Sequence, residues 1–210
     1  MMQVNDRYVG PITHEVIDSL ISRPEELPEM PLSFHGVVGL AEPVLSKRFT
    51  IRDAETIQAA LRDDGYQAAR RAVTEMTPEQ VIAEVTKSNL RGLGGAGFPT
   101  GKKWGFIPKD NSKPKFLVVN ADEGEPGTIK DRYLIVKDPH RLIEGMIIAS
   151  YATGCRKAYV YIRGEYVKPA AILQQAIDDA SRHGFLGRKI FNSAMDLDVV
   201  VHRGAGAYIC

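Results

Sequence analysis

The chain has 210 residues, of which 44% are hydrophobic and 25% charged, with a formal net charge of +1. That is long enough for one large domain or two small ones, and the even charge balance gives no support for nucleic-acid binding or a polybasic membrane patch. No apolar run approaches the ~20 residues that span a bilayer, and MMQVNDRYVGPITHEV lacks the apolar core of a signal peptide, so a cytoplasmic protein is expected.

Two cysteines, Cys155 and Cys210, stand 55 positions apart, which excludes a disulfide framework and any C-x-x-C motif within the chain. Cys155 reads as an inert buried thiol. The five histidines are scattered without metal-ligand spacing, so no metal site is expected. No G-x-S-x-G occurs, and acyl transfer has no sequence support.

Residues 1–50 carry no clear pattern, and the three prolines of RPEELPEMP suggest an extended arm. Residues 51–90 read as a helical segment. DAETIQAALRDD and YQAARRAVTEM are short amphipathic stretches broken at Gly65. Thr77 then caps a helix with Pro78 in its first turn and Val81, Ile82 and Val85 on one face. From Arg91 to Cys210 the pattern is that of an α/β domain. KFLVVN (115–120) resembles a buried parallel strand, and a polar loop follows it. Asp138 and Pro139 start a helix that ends at Gly154, and KAYVYIR (157–163) is a second strand. A helix from Val167 stops at Gly184, and MDLDVVVHR (195–203) is a third strand. The order β-α-β-α-β predicts one half of a doubly wound, mostly parallel sheet.

RGLGGAGFPTGKKWGF (91–106) places Gly92, Gly94 and Gly97 in a G-x-G-x-x-G spacing. The dinucleotide fingerprint needs a strand before the glycines and a helix after them. Here a helix comes first and Pro99 follows, so the ordinary NAD turn fails on context. A Walker A loop fails too, because Ala96 stands where glycine belongs and Lys103 where the hydroxyl belongs. Glycine amides with Lys102 or Lys103 still suit a phosphate, and a plain glycine turn is the other reading. Phe98, Trp104 and Phe106 either stack on a flat ring or belong to the core.

Ligands of open α/β sheets sit outside the carboxyl ends of the strands. NADEGEPGTIKDR (120–132), RGEY (163–166) and HRGAGAY (202–208) occupy that edge. Asp122, Glu123 and Glu125 lie within four residues. They form either a solvated acidic turn or a set of acceptors for sugar hydroxyls and a ring N–H. His202 ends a strand at the same edge and reads as supporting.

In that order, RGLGGAGFPTGKKWGF, NADEGEPGTIKDR with DPHRLIEG, and HRGAGAYIC resemble the flavoprotein subunit of respiratory complex I, the FMN- and NADH-binding component of NADH-quinone oxidoreductase. The same family includes diaphorase subunits of NAD-linked hydrogenases and formate dehydrogenases. The resemblance covers roughly residues 45–210 and so the N-terminal portion of such a protein. It implies a Rossmann-like FMN-binding fold preceded by a short helical segment. It also implies an NADH dehydrogenase activity, with hydride passing from NADH to FMN and electrons leaving through iron–sulfur clusters to quinone. Carried over by motif, Gly92, Gly94, Lys103, Asn120, Asp122, Glu123 and Tyr208 would hold FMN. Gly95, Ala96, Phe98, Phe106 and Glu125 would line the NADH path, with Glu125 disfavouring the 2′-phosphate of NADPH. No side chain would act as nucleophile or acid. Lys102 departs from the more usual leucine.

In the family the chain continues into further flavin contacts and a cysteine-rich domain holding a 4Fe-4S cluster. The cysteines of that cluster are not in this chain, and the α/β domain is expected to be truncated at its C-terminal end. The implied partners are a thioredoxin-like iron–sulfur subunit and a large cluster-bearing subunit, with membrane association only through them. Two alternatives remain at this point: the same flavin core serving a hydrogenase or formate dehydrogenase, and a non-redox nucleotide-binding module.

Overall fold

Three apolar runs pair into one parallel sheet, and the helices between them make its core. The computed structural model describes residues 2–4, 7–9, 14–22, 44–92, 95–110 and 112–208. It divides into two units, Met1–Pro43 and Val44–Cys210. The first unit contains β1 (Met2–Val4) paired antiparallel with β2 (Arg7–Val9), and helix α1 (His14–Ser22). The sequence pattern there does not announce these elements. RPEELPEMP, Gly94 and Cys210 lie outside the described residues.

In the second unit, helices α2 (Ile57–Arg62), α3 (Gln67–Glu75) and α4 (Pro78–Lys87) correspond to the three amphipathic segments. The Thr77 cap is a full capping box: Thr77 Oγ1 accepts from the Gln80 amide at 3.3 Å, and Gln80 Oε1 accepts from the Thr77 amide at 2.7 Å. Val81 is buried, with Ile82 and Val85 partly so. Two short helices depart from the expected pattern, α5 (Thr100–Gly105) after the glycine loop and α6 (Lys130–Lys137) within the expected polar loop.

The remaining elements run β3 (Phe116–Ala121), α7 (Pro139–Thr153), β4 (Lys157–Ile162), α8 (Val167–Arg182) and β5 (Asp198–Arg203). The third strand starts later than expected, because Leu197 exchanges two 2.8 Å backbone hydrogen bonds with Gly187 before the chain enters the sheet. The strands lie parallel in the order β3-β4-β5. Crossovers of one hand, stepping steadily in one direction, put their helices on the same face. Ala158, Val160 and Ile162 of β4 are fully buried, as are Ile143 and Ile147 of α7 and Leu173 and Ala180 of α8.

The opposite face carries Phe116, Val118 and Asn120 of β3, and Phe116 and Val118 are 52% and 66% exposed. The expectation of a buried β3 is therefore corrected: among the described residues it is covered on one side only. An apolar run cannot distinguish a strand covered on both faces from one covered on one.

Asp138 does begin α7, with Pro139 in its first turn, but its carboxylate does not cap the helix amides. It accepts instead from Arg141 Nε at 2.9 Å and lies 3.6 Å from Arg48 Nε, a guanidinium that is itself buried. Next along the helix, His140 is buried with Nδ1 2.7 Å from the Tyr66 hydroxyl. Burial pushes the Tyr66 hydroxyl well above its ordinary range, so Tyr66 donates and Nδ1 accepts. Burial also pushes His140 down from 6.5 to about 4, with Arg48 and His183 adding to the effect and Asp179 opposing it. Below the unfolded pKa the unfolded chain takes up a proton that the folded ring refuses. Stability from this group is therefore intact above pH 6.5 and falls as pH drops from 6.5 to about 4. A loss of up to about 3 kcal/mol is expected across that window. Urea unfolding at a series of pH values checks it, and His140→Gln should flatten the dependence there.

Candidate functional site

The carboxyl ends of β3, β4 and β5 run into three glycine-bearing loops, and these loops are packed against one another. A Cβ on Gly164 would stand 2.5 Å from the Gly204 carbonyl oxygen, so the RGEY and HRGAG turns touch backbone to backbone. Arg203 donates from Nη2 to the Gly164 carbonyl across the same contact. Arg163 reaches back to the first loop, donating from Nη1 to the Glu123 carbonyl at 2.9 Å and from Nε to Glu165 at 3.1 Å.

Glu123 is the centre of this arrangement. Its side chain is 1% exposed, and both oxygens are engaged within the protein. Oε1 accepts from the Asp131 amide at 2.9 Å, while Oε2 accepts from the Arg132 amide at 3.1 Å and the Tyr166 hydroxyl at 2.9 Å. Lys130 Nζ adds a cation 3.7 Å away. Those two amides belong to the first turn of α6, where helix donors lack partners and a negative charge is favoured. Ile129, at the cap position, makes no side-chain cap hydrogen bond, so the cap arrives from Glu123 instead. Burial, followed by the hydrogen bond to Glu123, pushes Tyr166 up to about 12, which keeps it a donor. Glu123, expected as an FMN contact, is turned inward here, and both of its carboxylate oxygens hold the loop that carries its neighbours.

Those neighbours face outward. Asn120 Oδ1 accepts from the Asp122 amide at 2.9 Å, folding the chain tightly at the end of β3. The Asp122 carboxylate makes no hydrogen bond or ion pair among the described residues. Tyr208 lies over Gly124, where a Cβ would come within 3.3 Å of its ring, and its hydroxyl donates to the Glu125 carboxylate. That bond favours the neutral phenol and raises the Tyr208 pKa. Residues 83 positions apart are thus joined at one edge of the sheet. His202, expected to be supporting, stacks on Tyr161 with ring centroids 5.5 Å apart.

The glycine loop forms a second group. It leaves α4, is pinned by an Arg91↔Pro99 bridge and enters α5, so helices flank the glycines on both sides. The failure of the ordinary dinucleotide turn is thereby explained: no strand feeds the loop. Gly92 closes the bridge, its amide donating to the Phe98 carbonyl at 3.1 Å. Gly95 and Gly97 have φ of 141° and 62°, and a Cβ at either would meet nothing within 4 Å. Exposed Ala96 lies between them. Phe98 and Phe106 are 46% and 73% exposed with ring centroids 6.0 Å apart, a pair of open aromatic surfaces rather than core. Trp104, by contrast, is partly buried and packs against the small core cluster of Ala72, Val81 and Ala152. Lys102 and Lys103 are exposed on α5 and form no ion pair among the described residues. No hydrogen bond or ring contact joins this group to the sheet-edge group among the described residues.

This donor set fits a flavin nucleotide. Ammonium groups and bare glycine backbone suit a phosphate, an unengaged carboxylate and an amide side chain suit ribityl hydroxyls and ring N–H groups, and open aromatic faces suit a base. Arg163 and Tyr166, which lock Glu123 in place, are not singled out by the sequence motifs. Their signal is an Arg-Gly-Glu-Tyr turn directly after a strand.

The sequence model of the family described as the Nuo51 FMN-binding domain matches residues 85–210, a span that holds both groups. The chain belongs to this family of FMN-binding domains. Its relatives include an NADH-quinone oxidoreductase subunit of Rhizobium meliloti (strain 1021), 52% identical over 169 residues, or 80% of this chain and 40% of that protein. The corresponding NADH-quinone oxidoreductase subunit of Aquifex aeolicus (strain VF5) is 54% identical over 167 residues, again 80% of this chain and 39% of that one. This chain therefore spans about 40% of the length of these relatives. Among solved structures, an NAD+-reducing NiFe-hydrogenase in the air-oxidized state matches 98% of this chain and 33% of its own, with 32% identity and a TM-score of 0.61.

Replacing Glu123 by alanine leaves two helix amides and a buried phenol without an acceptor. A loss of about 2–4 kcal/mol is expected from such a deletion, measured by chemical denaturation. Tyr166→Phe removes one of the three donors and should cost about 1 kcal/mol.

Proposed function

We propose that this chain forms the flavin- and nicotinamide-binding core of an NADH dehydrogenase flavoprotein, in keeping with its NADH-quinone oxidoreductase relatives. The observation that supports it best is the sheet-edge cluster of Asn120, Asp122, Glu125 and Tyr208, which falls inside the family-matched span with its carboxylate and phenol turned outward. FMN, when bound, supplies a two-electron acceptor for hydride and a one-electron donor to iron–sulfur clusters.

The protein's own residues position and discriminate. Gly92, Lys103, Asn120, Asp122 and Tyr208 take the flavin nucleotide, with Lys103 neutralising phosphate or ring charge. Gly94 shares that assignment from the sequence motif. Glu123 acts through its neighbours by fixing the turn at the end of β3. Gly95, Ala96, Phe98, Phe106 and Glu125 take NADH, the two phenylalanines offering aromatic faces to adenine. Glu125 accepts from ribose hydroxyls and repels a 2′-phosphate, while its bond from Tyr208 fixes both side chains. No side chain is needed as acid, base or nucleophile.

The electron path beyond the flavin runs through partners: a thioredoxin-like iron–sulfur subunit and a large cluster-bearing subunit, with quinone as final acceptor. No helix among the described residues is long and apolar enough to cross a membrane, and attachment to one would be through those partners. A second reading, the same core serving a hydrogenase as its diaphorase, is favoured by the match over 98% of the chain to the NAD+-reducing hydrogenase.

Two measurements test the site. In titrations of the apo protein followed by flavin fluorescence, Lys103→Gln and Asp122→Asn should each weaken FMN binding roughly tenfold, the effect of one charged contact. Unchanged binding in both would remove those residues from the site. With ferricyanide as acceptor, Glu125→Gln should raise the kcat/KM ratio of NADPH to NADH on the order of tenfold. An unmoved ratio would reject the role given to Glu125.

A further inference from the structure

At the opposite end of the sheet, under the amino ends of β3 and β4, lies a cavity of 660 Å³. Its volume falls in the range of small-molecule sites, about 300–1,000 Å³. Its lining includes four cationic side chains, Lys113, Lys115, Arg156 and Lys157, and no carboxylate. None of the four forms an ion pair among the described residues, in a chain whose net charge is only +1. The nearest acid by register is Asp198, opposite Lys157 on the neighbouring strand, and it forms no ion pair with it. Lys115 folds back over the end of α7, its Nζ 3.6 Å from where a Cβ on Gly154 would lie.

A second, independent feature sits at the wall of this cavity. Ser150 is fully buried, lines the space, and its Oγ has no hydrogen-bond partner. A helical serine ordinarily returns its hydroxyl to the carbonyl one turn back. The ring of Tyr151 stands beside it on the lining, held by a hydrogen bond from its hydroxyl to the Met76 carbonyl at 2.5 Å.

The geometry points to a second binding site, distinct from the flavin and nicotinamide region, for a phosphorylated small molecule of nucleoside-diphosphate size. Four cations without ion pairs, of which Lys157 lies over the Tyr159 ring at 5.6 Å, match several negative charges on one ligand, and Tyr151 with Phe116 offers aromatic surface to an organic body. This site sits at the amino ends of the strands, so it stands whether or not the reading of the carboxyl-end site holds.

Hydrogen–deuterium exchange on the full chain, with ADP, pyrophosphate or adenosine added, locates the ligand. ADP should protect residues 113–116 and 150–157 saturably, pyrophosphate should do so more weakly, and adenosine should not. In Lys115→Gln/Arg156→Gln the ADP concentration for half-protection should rise roughly tenfold or more, as should the wild-type value at high salt. Protection confined to residues 91–106 and 120–125, no saturable protection, or a half-protection point unmoved in the double variant would overturn the proposal.

Discussion

The candidate site depends on a single buried carboxylate. Glu123 joins the turn after β3, the first turn of α6 and Tyr166 at the start of α8, while Arg163 grips its backbone carbonyl. An isolated carboxylate at 1% exposure would be strongly unfavourable. Here it meets two unpaired helix amides, a phenol and a lysine, so its charge is met at both oxygens. Elements distant in sequence are held by it, and Asn120, Asp122 and Glu125 are oriented as a consequence. The acidic run is thus divided: Glu123 is buried and holds the turn, the Asp122 carboxylate is without a partner among the described residues, and Glu125 accepts from Tyr208.

Under the proposed function, the sheet edge and the glycine loop are two halves of one recognition surface. The sheet edge supplies acceptors and a phenol, and the glycine loop with α5 supplies cations, bare backbone and a pair of open aromatic rings. The loop is held by its Arg91↔Pro99 bridge and not by a preceding strand, which explains a glycine pattern that matches a dinucleotide motif without its geometry. The family match points to FMN, the flavin nucleotide that this chemistry suits.

Much of the fold was legible in the sequence where local and tertiary signals agree. The strands β3, β4 and β5, the long helices α7 and α8 with their glycine stops, and the Thr77 capping box follow from apolar period and terminal residues. Helix α6 was hidden because its cap is Glu123, seven positions before its first residue, instead of a local Ser, Thr or Asp. Helix α5 was hidden because TGKKWG carries two glycines and only one apolar anchor, Trp104. The inward turn of Glu123 was equally invisible, since three neighbouring acids look alike until Tyr166 and Arg163 are brought beside one of them. Exposure of β3 could not be read either, because an apolar run is the same whether one face or two are covered.

The most direct test is an anaerobic absorbance spectrum of the 210-residue chain loaded with FMN, before and after NADH is added. The flavin band should be present and should bleach on addition of NADH, returning when an acceptor is supplied. A protein that takes up FMN but whose flavin band is unchanged by NADH would contradict the claim that this sheet edge and glycine loop bring nicotinamide and flavin together.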